Sequence, residues 1–415
     1  MKIKFVVIFL VITSSFMSQK NIKKWYQKNA TEYADYKFLD SLIKDKNYVF
    51  IGESSHGAKE FYEQKSEIVN YLVREKGFSV VLFESPLMAN FFYEYYPTFR
   101  HPNETHASHI LFPIFLNQST IDLIDDLDKN SIAVNGFDTQ LGSVFQSELA
   151  TKFVYDVFKE IDTAVANDFY EVNSLFSKPD LVRFSKLEKW YNYPCVNIDY
   201  NTECKYWASK YNDYIHFAQL NYHKIMDHFN KDSIKSNYLL KSLNMQKNNI
   251  DNYIYGHSNL GVRDSLMAKN MEFLITNMYK NRKVIIWSHN GHIAKKHENM
   301  DGNFKHSKTM GSYLNDTIKN KSFHIGLYSL RGSTNNNDRK PKKVIAYKTK
   351  GGVENFLKNK KYPKSFISLK DYPYKSINQF VSLSHWGVYP EKMDPSEQFD
   401  LLLFINKTSP CIYIE

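Results

Sequence analysis

Acidic and imidazole side chains follow several apolar runs of this sequence. Glu53 and His56 come directly after "YVFIG", His289 and His292 come after "KVIIW", and Glu84 ends the run "SVVLFE". An imidazole beside a carboxylate can take a proton from water while the carboxylate fixes its tautomer and stabilises the imidazolium. These residue types therefore predict hydrolytic acid–base chemistry. The five residues are the candidate catalytic groups.

Further residues are candidates for substrate binding or for support of the catalytic groups. Lys65 lies inside an apolar helical stripe, where its charge needs a carboxylate partner, either Glu84 or Glu53. A lysine at the edge of the stripe could instead extend into solvent. The other supporting candidates are Glu60, Asp138, Asn290 and Arg263.

Ser54 and Ser55 are alternative nucleophiles beside His56. The sequence has no G-x-S-x-G elbow, so capping of the next helix is their expected role and direct attack by water is the simpler mechanism. Free N–H groups at the start of that helix are expected to face the site, after a turn that Gly57 allows to bend sharply.

Metal and cofactor binding are not predicted. His289 and His292 are three residues apart rather than at the HExxH spacing of zinc enzymes. Two functions from other classes stay open at this point. One is a haem-binding or metal-binding protein on a related α/β scaffold, and the other is a metal-dependent hydrolase.

Four apolar runs predict the strands that position these groups. They are "YVFIGE", "SVVLFE", "SIAVNGFD" and "KVIIWSHNGH". Continuous apolar character is typical of parallel strands covered on both faces, and ligands bind beyond the carboxyl ends of such strands. Between the first two runs, Phe61, Ile68 and Leu72 form a helical stripe that ends at Gly77. The predicted fold is α/β, a central, mostly parallel sheet flanked by helices, with a large helical insertion.

Changes of pattern divide the chain into four parts. Residues 1–18 carry two lysines ahead of an apolar run too short to span a bilayer, which predicts a signal peptide. Residues 19–142 and 257–415 predict the two parts of the α/β core. Residues 143–256 predict a helical insertion that covers the active-site cleft. In the last part, "MGSYLNDTIKN" predicts one helix and "RGSTNNNDRKPKK" a polar loop.

The composition is that of a soluble globular protein. Of the 415 residues, 43% are hydrophobic and 24% charged, and the formal net charge is +10. The lysines are spread along the chain, which favours a solvated surface over a nucleic-acid site. We therefore expect a small-molecule substrate, no nucleic-acid partner, and no stable membrane insertion after signal cleavage. The signal peptide predicts export to the periplasm or the medium, and the oligomeric state is not indicated.

The three cysteines are too few for a disulfide framework. Cys195 and Cys204 could form a bridge in an oxidising compartment, which would leave Cys411 alone. A catalytic cysteine is not expected.

With these motifs in view, the sequence resembles the erythromycin esterase family. The likeness is carried, in order, by "GESSHGAKEF", "GFSVVLFES", "NGFDTQ", "RDSLMAKN", "KVIIWSHNGHIAKK" and "MGSYL", with "FDLLLFINKTSP" as the closing strand. The resemblance implies an α/β fold and metal-free hydrolysis of a macrolide lactone ester, an activity that confers antibiotic resistance. It also implies that His56 is the base, with Glu53, Glu84, His289 and His292 around the same water.

Two departures from the family pattern bear on the site. Lys65 stands where some members carry Arg. The positive charge is kept, but the planar guanidinium that could bind a carboxylate through two hydrogen bonds is lost. In "FPIFLNQSTIDLIDDLDK", a Trp-Arg pair would be expected ahead of the helix. We therefore expect a rebuilt pocket wall here, which bears on substrate choice.

Overall fold

The architecture is a mostly parallel sheet with flanking helices, which confirms the predicted fold class. The computed structural model describes residues 19–100, 105–140, 144–176, 198–255, 260–301, 307–374 and 381–414. The chain divides into two compact units. The first comprises the described residues up to Val81, Pro113–Ile132 and those from Arg282 onward, and the second comprises Leu82–Phe112 and Ala133–Asn281.

The strands and helices alternate along much of the chain. The strands are β1 Tyr48–Ile51, β2 Val80–Pro86, β3 Ala133–Asp138, β4 Val284–Trp287, β5 Ser322–Asn335, β6 Pro341–Val344, β7 Lys364–Ser368, β8 Val381–His385, β9 Tyr389–Met393 and β10 Leu401–Thr408. The helices before β4 are α1 (19–29), α2 Leu39–Leu42, α3 Lys59–Lys76, α4 Leu87–Tyr95, α5 His106–Ile110, α6 Gln118–Lys129, α7 Val144–Ile161, α8 Thr163–Phe176, α9 Ile198–Leu220, α10 Tyr222–His228, α11 Ser233–Tyr255 and α12 Leu260–Phe273. Those after β4 are α13 Asn290–Ile293, α14 Met310–Tyr313, α15 Asp316–Asn320, α16 Val353–Leu357 and α17 Pro395–Gln398.

The sheet of the first unit runs in the order β4-β1-β5-β10-β7, with β6 paired to β5. β1 pairs in parallel with both β4 and β5, and β10 pairs in parallel with β5, whereas β7 and β6 are antiparallel to their neighbours. In the β1–β4 register, Ile51 lies opposite Trp287. The carboxyl ends of these two strands are therefore side by side, and the residues that follow them leave the sheet at one edge.

Helix α3 forms where the apolar stripe predicts it. Phe61, Ile68 and Leu72 are all buried, and the helix ends at Gly77 as predicted. Each fully buried side chain of this size contributes roughly 1.5–3 kcal/mol to stability. This burial fixes α3 against the first unit and with it the turn between β1 and the helix.

In the second unit, β3 lies beside β2. The described part of the predicted insertion, residues 144–176 and 198–255, consists of helices α7 to α11. The unit extends beyond the predicted insertion on both sides.

Two local predictions are wrong. The stretch read as a polar loop is a hairpin, because β5 continues to Asn335 and pairs with β6. Strand β6 is polar because it lies at a largely exposed sheet edge, where charged residues and proline prevent further pairing. The stretch read as one helix is two short ones, α14 and α15, because the Asn315 side chain accepts the Ile318 N–H at 3.1 Å and starts a new helix.

Some predictions fall outside the described residues. These are the signal peptide, Cys195 and the side chain of Cys204. Among the helices that are described, none combines the length and the apolar character needed to cross a bilayer. Cys411 is a free, buried thiol, and burial followed by the charges of Glu60 and Glu63 raises its pKa to about 12. This cysteine is therefore not a nucleophile at neutral pH.

Candidate active site

The residues after β1 and β4 are joined through Asn290. Its backbone N–H donates to the Glu53 carbonyl oxygen at 2.8 Å. Its side-chain amide donates to the Leu327 carbonyl at 2.8 Å and accepts the Leu327 N–H at 3.2 Å. Asn290 thus ties together the backbone of three neighbouring strands. Predicted as a supporting residue, it fixes the position of Glu53 rather than presenting its amide to solvent.

His56 is hydrogen-bonded to Glu53 in a geometry that suits a general base. The His56 Nδ1 lies 2.9 Å from Glu53 Oε1, so the ring proton is assigned to Nδ1 and Nε2 carries the acceptor lone pair. The His56 side chain is 15% exposed, whereas the Glu53 side chain is 1% exposed. A buried carboxylate therefore holds an imidazole that water can reach.

The second oxygen of Glu53 is bound by Lys65. The Lys65 ammonium donates to Glu53 Oε2 and, at 3.2 Å, to the carbonyl oxygen of Ser288. It also lies 4.2 Å from the centre of the Trp287 ring. Of the two carboxylates considered as partners, the structure gives Glu53. Lys65 is only 1% exposed, so the alternative of an ammonium in solvent is wrong.

His289 is the imidazole next to His56. Their ring centroids lie 5.0 Å apart. His289 Nδ1 accepts the Gly291 N–H at 3.1 Å, so the proton of the neutral ring is on Nε2. The Nε2–H group of His289 is the type of donor that stabilises an oxyanion. The ring of His292 follows at 6.3 Å from that of His289.

Three aromatic or imidazole side chains near His56 were not selected from the sequence. The ring of His385 lies 4.7 Å from that of His289, and the rings of Trp386 and Phe115 lie 5.9 and 5.2 Å from that of His56. Burial, followed by the nearby His56, lowers the pKa of His385 to about 3, so this imidazole stays neutral. The signal that could have found two of them is the adjacent pair in "LSHWG".

Phe115 comes from the stretch that departs from the family pattern. It lies in a short 3-10 helix, Pro113–Phe115, ahead of α6. Its ring stands at 89° to the imidazole of His56. The departure in sequence therefore falls on a side chain that contacts the candidate base.

The two serines before His56 do not cap the next helix, so that prediction is wrong. The N-cap of α3 is Ala58, and no side chain caps it. Ser55 Oγ is hydrogen-bonded to Thr334 Oγ1 at 2.5 Å and accepts the Gly57 N–H at 3.2 Å. Ser54 Oγ is buried and has no hydrogen-bond partner among the described residues. Among the residues that the structure describes, neither serine hydroxyl is hydrogen-bonded to the His56 ring. This favours water over serine as the nucleophile.

The far side of the His56 turn is packed against the residues after β10. Glu60 accepts the Ser409 N–H and hydroxyl at 2.7 and 2.6 Å, and the Lys59 N–H donates to the Ser409 carbonyl at 3.0 Å. Gly57 has no positive φ. A Cβ at this position would come within 2.1 Å of the Asn335 carbonyl, so close approach, rather than a sharp bend, requires glycine.

This packing changes two expectations about the start of α3. The Lys59 N–H, expected to face the site, is bound to Ser409 instead. Glu60, predicted as a supporting residue, contacts Ser409 rather than the imidazoles. Its carboxylate anchors the segment after the last strand.

Glu84, Asp138 and Arg263 form a charged cluster within the second unit. Glu84 lies near the end of β2, Asp138 ends β3, and Arg263 lies on α12. The Arg263 guanidinium contacts both Asp138 oxygens, with Nε at 3.2 Å and Nη2 at 2.5 Å. Its Nη2 also lies 3.5 Å from Glu84 Oε1. The three predicted residues of this unit thus lie together around the guanidinium of Arg263, which forms a bidentate ion pair with Asp138.

Arg263 keeps its charge despite burial. Burial by itself lowers the pKa of the guanidinium, but the charges of Asp138 and Glu84 raise it above its ordinary value. Two carboxylates therefore share one permanent cation. As both are buried, removal of the cation would take away the positive charge that both carboxylates contact, which destabilises buried charges.

No group of three His, Cys, Asp or Glu side chains that could hold a metal ion is found in the described ranges. The predicted residues of the first unit that gather around Glu53 are His56, Lys65, His289, His292 and Asn290. The arrangement can activate a water molecule and offer an N–H to a developing oxyanion.

Comparison with known proteins gives consistent matches over most of the chain. The family model described as "Erythromycin esterase" matches residues 73–408. The Bacillus subtilis (strain 168) protein YbfO, named as a hydrolase, is 24% identical over 92% of this chain and 88% of its own length. The Escherichia coli erythromycin esterase type II is 21% identical over 91% and 93%.

A solved structure shows the same fold. An erythromycin esterase mutant in its open conformation is 16% identical to this chain and superposes with a TM-score of 0.64. The match covers 91% of this chain and 95% of that one.

Proposed function

Because the chain belongs to the erythromycin esterase family, a family of hydrolases, we propose that it hydrolyses a carboxylic ester by a water molecule that His56 activates. The observation that carries the proposal is the hydrogen bond from His56 Nδ1 to the buried Glu53, with the His289 ring 5.0 Å from the same imidazole. The substrate is a small molecule.

In the proposed reaction, His56 moves one proton. Its Nε2 takes a proton from water as the water oxygen attacks the ester carbonyl carbon. When the tetrahedral intermediate collapses, the bond between the carbonyl carbon and the alkoxy oxygen breaks, and His56 returns the proton to the leaving oxygen. The products are a carboxylic acid and an alcohol, which in a lactone are the two ends of the opened ring.

Glu53 and Lys65 prepare His56 for this role. The carboxylate fixes the tautomer with the proton on Nδ1 and stabilises the imidazolium formed during the reaction. Lys65 holds the other oxygen of Glu53, so the carboxylate cannot rotate away from the imidazole. General base catalysis of this kind contributes about 10²–10⁴-fold to the rate.

His289 is the proposed donor to the oxyanion, with His292 beside it. The neutral His289 ring carries its proton on Nε2 because Nδ1 accepts the Gly291 N–H. One such donor is worth about 10²–10³-fold in kcat. A neutral donor also adds no positive charge beside His56, so it does not oppose protonation of the base.

The finer proposal is that the ester is the lactone of a macrolide antibiotic and that the protein is exported. The macrolide part is supported by the name of the E. coli relative, an erythromycin esterase, at 21% identity. The export part is supported by the two lysines and the apolar run within residues 1–18. An exported enzyme would meet the drug before it enters the cell.

The proposal is tested by incubating the protein with macrolides and simple esters and following the gain of one water by mass spectrometry. We expect ring opening of a macrolide by the wild type and at least about a 10²-fold loss in His56→Ala. The matched control is His228→Ala, since His228 also pairs through Nδ1 with a carboxylate, Glu160, at 2.7 Å. This control should keep full activity.

Two outcomes would contradict the proposed mechanism. Equal turnover by the wild type and His56→Ala would exclude His56 as the base. Loss of turnover after treatment with a chelator, restored by added metal, would favour a metal-dependent hydrolase. Cleavage of simple esters without cleavage of macrolides would support the proposed ester hydrolysis and contradict the proposed macrolide substrate.

A further inference from the structure

The turn between β8 and β9 has a backbone that rarely carries a large side chain. The two strands are antiparallel, with His385 opposite Tyr389. Trp386 has a φ of +54° and Gly387 a φ of +67°. Consecutive left-handed residues in a hairpin turn favour Gly, Asn or Asp, and a tryptophan in this region is strained.

The surrounding first unit holds the strained turn in place. The Trp386 N–H donates to the Ser54 carbonyl at 2.8 Å, and the Ile345 N–H donates to the Gly387 carbonyl at 3.0 Å. A Cβ at Gly387 would come within 2.6 Å of a Val344 methyl group. These contacts explain the backbone and the glycine. They do not require tryptophan at position 386, where a small residue would adopt the same backbone with less strain.

The tryptophan side chain lies against the candidate catalytic imidazoles. Its ring is 5.9 Å from that of His56 with an interplanar angle of 83°, and 6.3 Å from that of His289 with an angle of 29°. The Phe115 ring meets the same His56 imidazole at 89°. Two aromatic rings from distant parts of the chain therefore stand nearly perpendicular to one imidazole.

We propose that Trp386 is a positioning residue that, together with Phe115, fixes the ring plane of His56. The hydrogen bond to Glu53 anchors Nδ1 but leaves the imidazole able to tilt about this bond. Contacts with the two aromatic rings restrict the tilt, so the Nε2 lone pair stays aimed at the attacking water. The inference rests on the proposed function, in which His56 is the general base, and it accounts for the strain at this position.

The test compares variants of Trp386 in the full-length protein. Trp386→Gly removes the ring and relieves the backbone, so we expect kcat to fall about 10²-fold with little change in KM, while Tm stays the same or rises. Trp386→Phe keeps an aromatic ring and should recover most of the lost kcat. The matched control is Ser131→Gly, which relieves another left-handed residue, φ +55°, and should leave kcat unchanged.

Wild-type kcat in Trp386→Gly would overturn the inference, as would a parallel loss of kcat and Tm in both Trp386 variants. If Trp386→Gly does not fold, Trp386→Leu takes its place, since it keeps bulk without a ring. The His56 ring is also followed by NMR of labelled histidine in the wild type and the variant. We expect the relaxation of its ring signals to show a more mobile imidazole when the tryptophan is removed, and unchanged relaxation would overturn the inference.

The NMR readout separates this inference from the proposed function. If the wild type cleaves no ester, the proposed function fails, and the position of the His56 ring is still measured. If the wild type is active and the His56 signals do not respond to Trp386→Gly, the inference alone fails.

Discussion

The two charged clusters of this protein differ in whether a proton can move through them. In the first unit, Glu53 is shared between Lys65 and His56, and an imidazole is the side chain that exchanges protons most readily near neutral pH. In the second unit, Asp138 and Glu84 share Arg263, which does not release its proton. Both clusters bury an ion pair. Only the first is suited to acid–base chemistry, and the second supplies fixed charge.

The largest expected effect comes from Glu53→Gln, which removes the charge that both partners use. The amide no longer selects the proper tautomer of His56, and we expect a loss of about 10⁴-fold in kcat, as for loss of the carboxylate in a catalytic triad. It also removes the charge that the buried Lys65 ammonium binds, which costs about 3–5 kcal/mol of stability. Steady-state kinetics and chemical denaturation measure the two losses separately.

A double variant separates these two roles. Lys65→Met in the Glu53→Gln background removes the cation that has lost the Glu53 charge and should restore most of the stability without restoring kcat. If kcat returned together with stability, the carboxylate would serve folding alone. The contrast between the two clusters would then disappear.

The next effect in size is expected from Arg263→Met in the second cluster. It removes the cation that the buried carboxylates of Asp138 and Glu84 contact, so we expect a loss of about 3–5 kcal/mol in the free energy of unfolding. The variant should regain stability as the pH falls and the two carboxyl groups become protonated. Denaturation at several pH values measures this.

The activity of Arg263→Met is also compared with that of the wild type, below the denaturation temperature of the variant. We expect kcat/KM to be retained, because the proposed base and the carboxylate that holds it, His56 and Glu53, belong to the other cluster. A loss of kcat/KM would show that the arginine cluster contributes to the reaction. The neutral triple variant Arg263→Met, Asp138→Asn, Glu84→Gln is the control for stability.

The smallest effect concerns a buried acid of the first unit. Glu354 accepts the Ser384 N–H at 2.6 Å, next to His385, and burial raises its pKa to about 7 from 4.5. Between these two values the unfolded chain has lost the proton and the folded protein still holds it. Stability therefore falls as the pH rises from 4.5 to about 7, by on the order of 3 kcal/mol, and stays reduced above that.

Glu354→Gln should remove this dependence. The variant is expected to match the wild type near pH 4.5 and to exceed it in stability above pH 7, because the amide can still accept the Ser384 N–H without carrying a charge. Denaturation curves at both pH values measure the difference. Equal pH dependence in the two proteins would show that Glu354 is not the titrating group.

The parts of the fold that follow strong local patterns were predictable from sequence. β1 and β4 are continuous apolar runs, and the rule that parallel strands end at one edge predicted that Glu53 and His289 lie at the same edge of the sheet. That the two strands are neighbours is a finding of the structure. The position of Lys65 in the α3 stripe indicated a cation that is either buried beside a carboxylate or extended into solvent. Periodicity decided neither its burial nor its carboxylate partner, because both depend on three-dimensional distances that periodicity does not encode.

Several of the parts that were missed lie on hairpins of the first unit. Strand β6 of the β5–β6 hairpin is lysine-rich because it is an exposed edge, so its composition resembles that of a loop. His385 ends β8 and Trp386 lies in the turn that follows, far along the chain from the "ESSHG" motif. Their proximity to His56 results from packing within the unit, and no local sequence pattern indicates it.

The turn that carries His56 is joined to residues far along the chain. The Gly57 carbonyl accepts the Cys411 N–H at 2.8 Å, and Glu60 binds Ser409. The ribosome adds these residues after all the side chains assigned to the chemistry. A nascent chain that ends before Ser409 would contain all the side chains assigned to the chemistry. It would still lack the contacts that hold the His56 turn, so hydrolysis would begin only once synthesis has passed this residue.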